Sequence, residues 1–158
     1  MIFKSKILLG ILAVLVLMVF VNAGWSGQDN AESASINWVN IEEAQKLGKD
    51  APRKVFVDVY TDWCGWCKKM DRSTFADESV VNYVNENYYA VKLNAESSKK
   101  IIFNGKEMTE AYLARSMRVS GYPTIVFIDE KFTSIQPVPG YRTAAQFKKI
   151  LKEFNGNL

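Results

Sequence analysis

Residues 54–70 read Lys54-Val-Phe-Val-Asp58-Val-Tyr-Thr-Asp-Trp63-Cys64-Gly-Trp-Cys67-Lys-Lys-Met70, and this stretch decides the fold. Val55, Val57 and Val59 put a β-branched residue at every second position, which predicts a strand. The run lacks clean polar alternation, so the strand is expected to be buried on both faces. A brief turn follows, then Cys64 and Cys67, the only two cysteines in the chain. Their spacing brings both sulfurs to one turn of a helix that starts at or just before Cys64. There the first thiolate lies near unpaired backbone N–H groups and the positive helix end, which lower its pKa and favour it as nucleophile. The second thiol is placed to resolve a mixed disulfide.

Other uses of such a pair are weighed against this one. Structural zinc usually takes four Cys or His ligands, and the chain has no histidine and no further cysteine. A c-type haem attachment needs His after Cys67, where Lys68 stands. A structural disulfide closing so short a loop would constrain the unfolded chain little. Two thiolates can also hold a soft metal such as Cu(I), with Met70 as a third ligand. A redox-active dithiol is the strongest of these readings.

The segment Val57-Asp58-Val59-Tyr60-Thr61-Asp62-Trp63-Cys64-Gly65-Trp66-Cys67-Lys68 resembles the active-site segment of the thioredoxin superfamily, with Trp66 where thioredoxin has proline. The Trp-Cys-Gly-Trp-Cys-Lys-Lys-Met form is similar to exported bacterial thioredoxin-like proteins, including those related to the C-terminal domain of the thiol:disulfide interchange protein DsbD. The resemblance covers about residues 36–155. It implies a thioredoxin-like α/β fold, a central mixed β-sheet flanked by helices, and thiol–disulfide exchange catalysed by Cys64 and Cys67. It also implies that Cys64 is the exposed cysteine.

The resemblance assigns further roles. Asp58, six positions before Cys64, matches the buried acid that accepts the proton of the resolving cysteine. A carboxylate between Val57 and Val59 is expensive to bury unless paired or protonated, and burial raises its pKa; a polar residue at a strand edge is the plain alternative. Lys92 matches the family lysine beside that acid, against the alternative of an edge-strand lysine facing water. Trp63, Gly65 and Trp66 surround the sulfurs and are expected to contact substrate. Trp66 gives up the locked φ of proline and adds a large apolar ring. Tyr122-Pro123-Thr124 matches the loop that faces the dithiol, with Pro123 in cis and the backbone of Tyr122 free to hold an extended substrate strand.

The amino terminus sets the compartment. Lys4 and Lys6 precede Ile7–Val21, fifteen residues without a charged or polar side chain. With Val21-Asn22-Ala23 as a cleavage point, residues 1–23 read as a secretory signal peptide; an uncleaved membrane anchor is the alternative, although the run is shorter than the roughly 20 residues a spanning helix needs. Residues 24–35 are small and polar and read as a flexible linker, leaving 36–158 as the domain. Export to the periplasm or beyond places the dithiol where disulfides persist. The net charge of +3 falls to +1 without Lys4 and Lys6, a balance that predicts no nucleic-acid surface.

Along the domain the order reads β-α-β-α-β-α-β-β-α, a layered α/β arrangement. Ile36 and Trp38 suggest an edge strand. Asn40 with Glu43 forms a capping box for a helix that buries Ile41, Ala44 and Leu47 and stops near Gly48. Asp77 starts a segment with Val80, Val81 and Val84 at helical spacing, either continuous with the Cys64 helix or separate. Tyr89–Asn94 is a strand. Residues 95–108 read as an insertion with a small hairpin or a helical turn. Tyr112, Leu113 and Met117 are expected core contacts of a helix over 109–117. Ile125–Ile128 and Ile135–Val138 pair as a hairpin, with Pro137 and Pro139 marking an edge. Thr143 with Gln146 caps a last helix whose stripe of Phe147, Ile150, Leu151 and Phe154 covers a sheet face.

The functional expectation is a protein-disulfide oxidoreductase working as a reductase. Trp-Cys-Gly precedes the second cysteine, no His lies between the cysteines, and Asp58 and Lys92 are both kept. A disulfide oxidase or isomerase is the runner-up, and a copper-binding module the non-enzymatic alternative. Expected partners are exported proteins with disulfides and a membrane-embedded thiol reductant. A monomer is expected, and the chemistry needs no cofactor or metal.

Overall fold

The computed structural model describes residues 35–157; the expected signal peptide and most of the expected linker lie outside them. In chain order the elements are β1 (Trp38–Val39), α1 (Ile41–Asp50), β2 (Lys54–Tyr60), α2 (Gly65–Arg72), α3 (Glu78–Asn87), β3 (Tyr88–Asn94), β4 (Lys100–Phe103), β5 (Lys106–Thr109), α4 (Glu110–Ser116), β6 (Thr124–Ile128), β7 (Ile135–Pro139) and α5 (Ala144–Asn157). Five strands form one sheet in the order β1-β3-β2-β6-β7. β1, β3 and β2 run parallel, whereas β6 and β7 run antiparallel to their neighbours. The sheet is mixed, as expected.

β2 lies at the centre and is buried on both faces. Val55, Val57 and Val59 point into one core, with Ile41 and Ala44 of α1, Leu113 and Ala114 of α4, and Met117 just after it. Phe56 points into the other, with Met70 of α2, Val80, Val81 and Val84 of α3, and Phe147 and Leu151 of α5. Phe56 is fully buried and meets Trp38 and Phe147 edge-on at 5.5 and 5.4 Å. Truncating such a ring to Ala costs about 3–5 kcal/mol. Lys54, also buried, sends its Nζ to the carbonyls of Phe154 and Asn155, 2.5 and 3.0 Å away. It thereby caps the C-terminal turn of α5, where carbonyls lack intrahelical donors.

The helix signals hold with adjustments. Asn40 Oδ1 accepts from the N–H of Glu43 at 2.8 Å, yet α1 continues past Gly48 to Asp50. Leu47 is exposed and Gly48 is buried, the reverse of the expected stripe. The reason is Phe132: a Cβ at residue 48 would lie 3.3 Å from its ring, so glycine admits that ring. Asp77 caps a separate helix, which settles the open choice in favour of two. Thr143 and Gln146 exchange both capping-box bonds. In the two-turn α4 Leu113 is buried, as is the C-cap Met117, but Tyr112 falls off the apolar face and is exposed.

The insertion is a hairpin. Asn104 and Gly105 both have positive φ, 50° and 75°, which the right-handed strand twist favours in a two-residue turn. Ile101 and Phe103 alternate inward. Gln45 and Glu42 of α1 bond the backbone of Ile102 and Asn104, fastening the hairpin to the helix. β7 is an edge strand, and Pro137 and Pro139 sit there without removing a central ladder bond. No helix among the described residues is long and apolar enough to cross a membrane.

Candidate active site

β2 ends at Tyr60 and a turn carries the chain to α2. The N–H of Cys64 donates to the carbonyl of Thr61 at 3.1 Å, closing the turn. Cys64 is the N-cap of α2: its backbone is extended and its Sγ accepts from the N–H of Cys67 at 3.1 Å. That is the helix-end environment the spacing predicts, with an N–H aimed at the first sulfur. Cys64 and Cys67 are joined as a disulfide, Cα atoms 5.3 Å apart. Cys64 is 4% exposed and Cys67 3%. The exposed Cys64 implied by the resemblance is therefore not found in this disulfide state.

Asp58 lies on β2 with 1% of its surface exposed. Its Oδ2 meets Lys92 Nζ at 3.1 Å, and its Oδ1 finds no donor among the described residues. Burial pushes its pKa up from 3.8 to about 6; Lys92 opposes the rise and Asp71 adds to it. The β2–β3 register sets Asp58 directly opposite Lys92, so the parallel pairing delivers the lysine to the acid. Lys92 is not the water-facing edge lysine of the alternative reading. Its Nζ also reaches Asp71 Oδ1 at 2.5 Å and sits over the rings of Trp38, Tyr60 and Phe75 at 4.8, 5.3 and 5.7 Å. Burial alone would lower its pKa, but Asp58 and Asp71 together raise it. Asp71 is four residues beyond Cys67 in α2 and so shares its helix face. Lys92 thus links the buried acid of β2 to the helix that carries Cys67.

Around the sulfurs the aromatic residues form two groups. Trp63 is 67% exposed, meets Tyr122 edge-on at 5.9 Å, and donates its indole N–H to Glu96 at 3.0 Å. Trp66 is 56% exposed, lies 5.2 Å from the ring of Tyr141, and carries Lys69 Nζ over its face at 4.8 Å. Gly65 is exposed, and a Cβ there would meet nothing. The Tyr122–Pro123 peptide bond is cis, as the resemblance implies. Met70 is fully buried among the second core.

The Thioredoxin-like domain family matches residues 41–155. The chain belongs to this family. It is 29% identical over 135 residues to the thiol:disulfide interchange protein DsbD of Pectobacterium atrosepticum; the match takes in 82% of this chain and 22% of that protein. The chain therefore spans about a fifth of the length of the curated relatives it matches. A solution structure of a thioredoxin from Thermus thermophilus superposes with a TM-score of 0.60 at 25% identity, over 76% of this chain and 87% of that one. The DsbD C-terminal domain of Neisseria meningitidis in its oxidised form shares the fold, with a TM-score of 0.54 at 21% identity over 74% of this chain and 91% of that one. Within this thioredoxin-like domain Cys64 and Cys67 stand paired at the start of α2.

Three residues of this thioredoxin-like site were not singled out from the sequence. Asp71 had an available signal, since its spacing from Cys67 places both on one helix face. Glu96 and Tyr141 had none: one follows β3, the other the β7 turn, and only the tertiary fold brings them to Trp63 and Trp66.

Proposed function

We propose that this chain is an exported reductase of protein disulfides, with Cys64 as nucleophile, Cys67 as resolving thiol and Asp58 as the base that serves Cys67. The observation that carries the reading is the buried Asp58–Lys92 pair, 3.1 Å apart, with the Asp58 pKa pushed up to about 6. A reductase must complete the second half of exchange quickly, and that half requires Cys67 to lose its proton. A base with a pKa near neutrality is matched to that transfer.

The reaction starts from the dithiol. The Cys64 thiolate attacks one sulfur of the substrate disulfide, and the other substrate sulfur leaves as a thiolate that takes up a proton. Cys67 passes its proton to Asp58 and attacks Cys64 Sγ. The mixed disulfide breaks, and the second substrate sulfur leaves and is protonated. Two electrons have moved to the substrate, and the protein ends as the Cys64–Cys67 disulfide. Trp63, Gly65, Trp66, Tyr122 and Pro123 are the substrate-contacting residues in this scheme. Lys92 holds Asp58 and lets its proton leave toward Asp71, which is 43% exposed.

The pattern of residues 1–23 supports export to the periplasm or beyond, where a membrane-embedded thiol reductant would restore the dithiol. The domain acts as a monomer in this scheme. The redox equilibrium of Cys64–Cys67 against glutathione tests the direction: a strongly reducing potential is expected, and an oxidising one would assign the site to disulfide formation instead. Insulin reduction should depend wholly on Cys64, and a Cys64→Ser variant that still turns over would overturn the scheme.

A further inference from the structure

Two exposed tryptophans lie within two residues of Cys64, and they hold charges of opposite sign. On one side Trp63 packs against Tyr122, and both carboxylate oxygens of Glu96 accept from its indole N–H, at 3.0 and 3.1 Å. On the other side Trp66 packs against Tyr141, and the ammonium of Lys69 lies over both rings, at 4.8 and 5.3 Å. Neither Glu96 nor Lys69 has an ion-pair partner among the described residues. Each of these exposed side chains is held by its tryptophan, with its charge open to a partner. A long side chain held by an aromatic face has already lost much of its rotamer freedom, so pairing with it costs less entropy.

We propose that this arrangement selects substrates by the order of charges around their disulfide: an acidic side chain on the Lys69 side of the attacked cystine and a basic one on the Glu96 side. The proposal rests on the reductase reading above and names the substrate class of that same site. The tryptophan and tyrosine rings supply sequence-tolerant apolar contact, which binds an extended segment of either polarity. The two charges discriminate between the polarities. A segment laid across Cys64 in the wrong order meets a like charge at both ends, and like-charge contacts suppress wrong partners.

The chemistry of the step is unchanged. The Cys64 thiolate attacks the cystine, Cys67 releases the product as a dithiol, and the two electrons come from a protein dithiol prepared with dithiothreitol that is then removed. The test uses three synthetic peptides, each with one internal disulfide: one with Glu before and Lys after the cystine, one with the two exchanged, and one with Gln at both places. Single-turnover reduction by the pre-reduced protein gives a rate constant for each, and the Gln peptide serves as reference within every variant.

One charged peptide should react faster than the other. Exposed pairs are worth about threefold each, so the matched peptide should exceed the Gln peptide by about tenfold, the mismatched one should fall below it, and both differences should shrink at high salt. Lys69→Glu combined with Glu96→Lys should reverse the preference, and Lys69→Met combined with Glu96→Gln should abolish it. Equal rates for the two charged peptides, or a preference that survives the double charge exchange, would overturn the proposal while leaving the reductase reading intact. Failure to reduce even the Gln peptide would refute the reductase reading and this proposal with it.

Discussion

Replacing Asp58 by Asn removes a carboxyl that is 1% exposed and whose pKa burial raises from 3.8 to about 6. Between those values the folded protein holds a proton that the unfolded chain has released. Stability therefore falls as pH rises through that window. Below about pH 3.8 the full contribution of the neutral acid is present, and above about pH 6 it is lost. At ~1.4 kcal/mol for each tenfold change in the protonation equilibrium, the loss amounts to about 3 kcal/mol. Asn has nearly the shape of the neutral acid and does not ionise, so D58N escapes the loss. Lys92 keeps Asp71 as a partner at 2.5 Å, and the variant should fold. Urea unfolding of both oxidised proteins at intervals from pH 4 to 7.5 measures the difference. It should be near zero at the acid end and grow to about 3 kcal/mol in favour of D58N by pH 7.5. A parallel rapid-mixing experiment should show release of the mixed disulfide rising with a midpoint near pH 6 in the wild type and slowed in D58N. A stability difference that stays constant across the range would refute the claim that Asp58 is the buried titrating acid.

Two other substitutions probe the same centre. Lys92→Met deletes the cation that holds the Asp58 pKa down, so the carboxyl should titrate above pH 6; carbon NMR of the Asp58 side chain reads this directly, and a midpoint at or below 6 would contradict the pairing. Trp38→Leu removes the ring that covers Lys92 Nζ from 4.8 Å and admits water to the pair, so the Asp58 midpoint should move toward 3.8, while Trp38→Phe should restore much of it; a midpoint unmoved by Leu would make Trp38 a packing residue alone.

The parts of the site that were legible in the sequence are those governed by short-range rules. A β-branched run followed by two cysteines one helical turn apart predicts strand, turn and helix, and β2 and α2 form there with Cys64 at the cap. Asp58 was legible because an acid amid valines must be paired or neutral, and the fold supplies both a partner and a raised pKa. The family resemblance placed Lys92 and the cis Pro123, which no local pattern could reach. Leu47 and Tyr112 fell outside their expected stripes because helical periodicity fixes only which residues share a face, not how wide the partner surface is. Phe132, brought from the β6–β7 turn, packs against Gly48 of α1 instead. Glu96 and Tyr141 could not be read at all, since each meets its tryptophan only after the sheet has assembled. The same division separates chemistry from selectivity. Asp58, Cys64 and Cys67 lie within ten residues of one another, so in the proposed scheme a short segment carries the reaction. The charges beside the two tryptophans depend on where the fold delivers Glu96 and how the β7 turn presents Tyr141, so relatives with the same active-site segment need not share substrates.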